Sequence, residues 1–250
     1  MTKRSWWFWL VGLGATLWAA RDMVPSTGEK GEEMANALFW GERGLFRPDW
    51  DLLSPVASGL TESLQIAIVG TTIAGLFALL LGMVAAENIS TPALSIPTKA
   101  LLSAIRTLPE LLMAIIFIVG VGPGPFAGVL ALGFHSIGTL GKLTAEILES
   151  LNTKPMEAVV AVGGRRVSIF RYAAWPQVLP EFLSVLLYRF EINIRAASIL
   201  GMVGAGGIGK TLMFAINARS WDRVGTILVG IVVVVAVVDN ISARVRAKLV

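Results

Sequence analysis

Apolar residues in this chain are gathered into long runs, and most polar positions collect between them. A helix needs roughly 20 predominantly apolar residues to cross the hydrocarbon core of a bilayer. Six runs approach or exceed that length: Trp6 to Ala20, Leu64 to Ala86, Lys99 to Val121, Phe126 to Leu148, Pro176 to Leu200 and Val224 to Ile241. The pattern predicts an all-α, polytopic helical membrane protein with about six transmembrane helices. Residues 1–22 read as an N-terminal span, 23–59 as an extracytoplasmic loop and 60–250 as the helical core. The loop is too polar to span, and carries one short amphipathic stretch near Met34–Trp40.

Charge at the ends of the runs predicts an orientation. Lys3 and Arg4 precede the first run; Lys154, Arg165, Arg166 and Arg171 follow the fourth; Arg244, Arg246 and Lys248 follow the sixth. Six crossings place all three clusters on one side, which the positive-inside rule makes cytoplasmic, both termini included. The segment 21–51 holds four basic against seven acidic side chains, a net of −3, and falls outside. Trp6, Trp7, Trp9, Trp175 and Trp221 lie near run ends, where indoles favour the interface. A cleaved signal peptide is the alternative for the first run. Trp18 is too bulky for the −3 position of a site after Ala20, which favours an uncleaved span.

Composition agrees: 55% of the 250 residues are hydrophobic and 15% charged, against about 25% charged in soluble domains. The net charge of +4 sits at run ends, so it marks membrane lipid and orientation rather than nucleic acid. Cysteine is absent and His135 is the one histidine, so no metal site, catalytic triad or cofactor is expected.

Between the fourth and fifth runs, Pro155 suits the first turn of a helix and Glu157 complements its positive end. Gly163-Gly164 turn the chain, and Val167, Phe170 and Ala174 share one face of a second short helix from Arg165 to Ala174. Pro176 begins the next span. From these residues alone the segment 155–174 is a helix–turn–helix, or an ordinary basic cytoplasmic loop.

The spacing of Glu157, Ala158, Gly163 and Pro176 resembles the signature loop of permease subunits of ATP-binding-cassette importers, Glu-Ala-Ala-x-x-x-Gly followed nine residues later by Ile-x-Leu-Pro. Val159, Ala173 and Trp175 depart from it. The resemblance implies a type I importer transmembrane fold and a coupling helix that docks on an ATPase subunit through Glu157, Ala158, Gly163, Arg165, Arg166 and Pro176. Further stretches, Arg106-Thr-Leu-Pro109-Glu110, Gly122-Pro-Gly-Pro-Phe126, Tyr188-Arg-Phe-Glu191-Ile-Asn193-Ile-Arg195 and Gly201-Met-Val-Gly204, are similar to the permease of phosphonate importers. That implies as partners an ATPase dimer, an extracytoplasmic solute-binding protein and a second permease copy, most simply in a homodimer.

Gly204 to Thr211 also satisfies G-x-x-x-x-G-K-[ST]. A phosphate-binding P-loop leaves a strand and opens a helix in an α/β domain. Here it follows an apolar run on the outer side, so it is expected to be a glycine-rich turn, with exposed amides that an anion could meet.

Charges within the runs are the remaining candidates. Each costs about 2.5–3.5 kcal/mol at bilayer depth on insertion scales, so it persists when paired or facing a cavity. Arg189, Glu191, Asn193, Arg195 and Ser198 lie in the fifth run, Arg106 and Glu110 in the third, and His135 in the fourth. Glu191 and Arg195 are spaced to pair on one helix face, and Lys142 and Glu146 likewise. Arg189 is left to pair with Glu110 or another helix, or to line an anion pathway, which its planar fork suits. Arg106 is expected to snorkel, Pro109 to kink its helix, and His135 to bond a neighbouring helix.

The expected function is therefore a transport subunit with no bond-making chemistry of its own, carrying a phosphonate or related phosphorus oxyanion. A permease for another solute (a metal, methionine, another oxyanion) and an embedded enzyme acting on lipid phosphates stay open as alternatives. The latter would need a nucleophile or acid–base cluster, and the sequence offers none.

Overall fold

The computed structural model describes residues 44–249, together with residues 13, 14, 16, 31, 35 and 36. The first apolar run and the amphipathic stretch near Met34–Trp40 fall outside, or almost wholly outside, the described residues. Among the described residues every regular element is helical.

Helix α1 (Leu53–Ala85) follows directly on a 3-10 turn at Trp50–Leu52. It begins well before the expected Leu64, so part of the sequence read as outer loop is helix; at about 1.5 Å per residue it is ~50 Å long. The expected third span is two helices, α2 (Pro92–Thr107) and α3 (Glu110–Val121), bent by 88°. The expected kink is thus a break. Leu108 before Pro109 is held extended, as the proline ring requires, and the helical ladder stops there. Helix α4 (Pro125–Glu149) starts on a proline at N1 and returns across the bundle.

Next come α5 (Lys154–Ala161), a short α6 (Arg166–Ile169), a π-helical stretch (Phe170–Ala174) and α7 (Trp175–Leu200). The second arm of the expected helix–turn–helix is therefore continuous with the fifth span, not separate from it. A 3-10 turn at Gly201–Val203 and the glycine-rich turn lead into α8 (Ile208–Asn217), an element not anticipated, and then α9 (Trp221–Arg246). The literal P-loop match follows helix rather than strand, as expected. Among the described residues three helices are long and apolar enough to cross a membrane, and two bent pairs bring the number to five if each pair is one span.

The core is a close pairing of α1 with α4, with α7 alongside. Gly70 lies against Leu132 and Gly82 against Thr144, so these two helices run parallel. Thr71 meets Asn193 while Gly75 faces Leu186 and Phe182, so α7 is antiparallel to them. A Cβ on Gly82 would stand 2.6 Å from Thr144 Cβ. Small residues at such crossings let backbones approach where lipid supplies no hydrophobic drive for association. One buried cluster joins α1, α3, α4 and α7 around Ile66, Leu132 and Leu200. A second gathers Ala85, Leu102, Leu148 and Phe182, and a third joins α1 to α8 and α9 through Val56, Ile208 and Ile227.

Candidate functional site

Two regions concentrate the chemistry. The first is the projection between α4 and α7. Glu157 lies in the first turn of α5, exposed, with its amide bonded to the Thr153 carbonyl at 2.9 Å. No residue of α5 is buried, and Ala158 is exposed with it. Gly163 takes φ +81°, which closes α5 with amide bonds from Gly163 to Val160 O and from Gly164 to Val159 O, both 2.9 Å. Arg165 is exposed beyond this turn; the Arg166 side chain falls outside the described residues; Pro176 is exposed at the start of α7. Val160, Val162, Val167 and Tyr172 are also exposed, an apolar surface that none of the described residues covers. Gln177 fastens the base of the projection. Its amide nitrogen donates to Ala173 O at 2.7 Å, and its carbonyl accepts from the Asn152 amide at 3.2 Å.

The second region is a buried polar cluster where α1, α3, α4 and α7 meet. Asn193 is fully buried and donates to Thr71 Oγ1 (2.8 Å) and Ser136 Oγ (3.0 Å). Arg189, 7% exposed, donates from Nε to Ser136 Oγ at 3.0 Å. Its Nη2 is buried and ion-paired with the Glu110 carboxylate at 3.6 Å, the pairing expected from the sequence, but without a hydrogen bond. A guanidinium with one nitrogen hydrogen-bonded and another held only by a long ion pair is aimed, and that second nitrogen keeps N–H donors that an oxyanion can use.

The other candidates are placed around this cluster. Glu110 opens α3 just after the break, so the 88° bend points it at Arg189 rather than along the face that carries Arg106. Arg106 is exposed in the last turn of α2. His135 lies within hydrogen-bonding range of the Leu108 carbonyl oxygen at 3.0 Å; because a carbonyl only accepts, the contact assigns a proton to Nδ1. The histidine thus bonds a neighbouring helix, as expected, at the carbonyl freed by the break. Ser198 is buried, but its hydroxyl donates to Ile194 O of its own helix at 3.3 Å.

The expected pairing of Glu191 with Arg195 is not formed. Glu191 lies 3.0 Å from Arg246 Nη2, without hydrogen-bond alignment, and Arg195 pairs with Asp239 at 3.3 Å. Both partners come from α9, which packs on α7 and outcompetes the intrahelical neighbour. Lys142 and Glu146 do pair, at 3.8 Å. Thr71, Ser136, Asp239 and Arg246 had not been singled out as pathway residues. The one available signal for Thr71 was a hydroxyl inside the cleanest apolar run.

Residues 78–249 match the family described as "Binding-protein-dependent transport system inner membrane component". The chain is 39% identical over 241 residues to the phosphite transport system permease protein PtxC of Stutzerimonas stutzeri, covering 95% of this chain and 82% of that one. It is 37% identical over 205 residues to the phosphate-import permease protein PhnE of Mycolicibacterium smegmatis, covering 81% of this chain and 38% of that protein. The MetNI methionine transporter, solved in inward-facing conformations, superimposes with a TM-score of 0.70 at 20% identity, over 81% of this chain and 99% of that one. At that identity the likeness is one of fold, that of an importer's transmembrane domain. The chain belongs to the family of binding-protein-dependent transport system inner membrane components: it is a permease subunit, not an enzyme, and ATP hydrolysis resides in a separate subunit.

Proposed function

We propose that this permease carries a phosphorus oxyanion (phosphonate, phosphite or phosphate) and that Arg189 contacts it on the way through. The observation that carries the reading is the buried, oriented guanidinium whose Nη2 makes no hydrogen bond and meets Glu110 only at 3.6 Å. Arginine binds tetrahedral oxyanions through paired N–H donors, and a site stripped of water strengthens each bond. The names of the relatives, for phosphite and phosphate, favour the same class. Arg106, Glu110, His135, Glu191, Asn193, Arg195 and Ser198 line or brace the pathway.

Both termini and the projection 155–174 face the cytoplasm, residues 23–59 face out, and the first apolar run crosses as a sixth span. Two copies of the chain enclose the pathway. Two ATPase subunits grip the projection through Glu157, Ala158, Gly163, Arg165, Arg166 and Pro176, whose exposed apolar neighbours supply the contact area. A solute-binding protein delivers the anion from outside, and the ATPase state biases which side the pathway opens to. Uptake of a panel of phosphonates, phosphite and phosphate by the reconstituted complex tests the assignment. Transport of one or more of them is expected; uptake of none, with methionine or a metal ion taken up instead, overturns it.

A further inference from the structure

A groove of about 580 Å³ opens between the last turns of α1, the end of α4 and the π-helical start of α7. Its size is within the ~300–1,000 Å³ of sites that hold small molecules. Leu148 and Val178 on its wall are buried, Leu79, Met83 and Trp175 are half-buried, and Leu80 is exposed. The hydroxyl of Thr144, the remaining polar group on the wall, is spent on the Leu140 carbonyl at 2.7 Å. Arg171 is the one charged residue of the lining. It is exposed, its guanidinium rests 5.7 Å from the ring of Tyr172, and no carboxylate among the described residues pairs with it. A long apolar slot with one free cation at its mouth matches an acyl chain joined to an anionic head. It does not match a small, highly charged oxyanion, which would find a single partner there.

We propose that this groove binds an anionic phospholipid, one acyl chain lying against Leu79, Met83 and Val178 and the phosphate on Arg171. Charge separates this occupant from the segments of this chain that could reach the slot. On the orientation proposed above, the first apolar run arrives with Lys3 and Arg4, and α9 of a second copy ends on Arg244, Arg246 and Lys248. Either would bring cations to Arg171 with no acid to offset them, whereas a phosphate complements it. Anionic headgroups attract basic side chains at the cytoplasmic surface, and an arginine stem can lie along apolar surface while its head stays at the interface. One wall of the groove is the π-helical stretch, a distortion that gathers at functional positions. A bound lipid would therefore press on the base of the projection that carries Glu157.

The test uses the complete transporter in nanodiscs, with phosphatidylglycerol or phosphatidylcholine brominated on the acyl chains. Bromine quenches a nearby indole, and the difference between the native protein and Trp175→Phe isolates Trp175. Brominated phosphatidylglycerol should quench that component at a lower mole fraction than brominated phosphatidylcholine. The expected preference is about fivefold, the factor that ~1 kcal/mol per basic residue at an anionic surface gives. Arg171→Gln should erase the preference while leaving quenching by both lipids. That comparison uses total fluorescence, so it stands even if Trp175→Phe does not assemble. Equal quenching by the two lipids would mean ordinary surrounding lipid, and no quenching a protein occupant; either overturns the proposal. The readout does not depend on which solute is transported, so it survives or fails separately from the function proposed above.

Discussion

Asn193 joins Thr71 and Ser136 through one amide nitrogen, at 2.8 and 3.0 Å, and so ties α7 to α1 and α4 at a single buried point. Ser136 in turn receives Arg189 Nε. The chain of bonds fixes the direction of a guanidinium whose ion-pair partner among the described residues is the Glu110 carboxylate, at 3.6 Å. Neutral side chains orient the guanidinium through Nε, and Glu110 stands as the counter-ion at Nη2.

Replacing Arg189 by Ala should therefore impair transport far more than assembly. Loss of a charged hydrogen bond to the solute is worth about 1.5–3 kcal/mol, or roughly ten- to a hundredfold in uptake. Ser136→Ala should produce a smaller loss, because it frees the arginine without removing it. Uptake per assembled complex is the measurement, and normal uptake by the Arg189 variant would remove it from the pathway.

Glu157→Ala should leave folding within about ±0.5 kcal/mol, as expected of an exposed side chain. Coupling should fall, because the proposed ATPase contact loses its charge at the positive end of α5. The assay is solute-stimulated ATP hydrolysis by the reconstituted complex; stimulation equal to the native level would contradict the role.

Arg246→Ala leaves Glu191, 6% exposed, without its counter-ion. Breaking one side of a buried pair costs about 3–5 kcal/mol, while removing both sides costs much less. Pairing Arg246→Met with Glu191→Gln should recover most of the lost thermal midpoint. A double variant no more stable than Arg246→Ala would show that the two residues are not coupled.

Gly82→Val pushes a side chain into Thr144, and overpacking of this kind costs about 1–3 kcal/mol. Gly120→Val is the control, since a Cβ there meets nothing within 4 Å. The purified protein should melt lower for the first and close to native for the second. Equal midpoints would argue against the tight α1–α4 crossing.

Much of this was legible in the residues. Apolar runs located the spans within the described region, and Arg189 stood out because a cation at that depth needs a reason to be there. What could not be read was choice of partner. Helical spacing offered Arg195 to Glu191, but α9 brings Arg246 from far along the chain, and no local rule anticipates a helix crossing. The break at Leu108 was visible only as a proline; its 88° depends on where α3 finds its packing. Helix α8 was hidden because its glycine-rich approach reads as a simple turn.

The π-helical stretch joins α6 to α7 with no loop between them, so the backbone is helical from Arg166 to Leu200. That span is about 50 Å at ~1.5 Å per residue. Arg165 lies just before one end of this rod and Arg189 about two-thirds of the way along it. A torque applied at the projection thus reaches the buried guanidinium as rotation of a single shaft. Roll of that shaft would shift Arg189 relative to Ser136 without any contact being relayed from side chain to side chain.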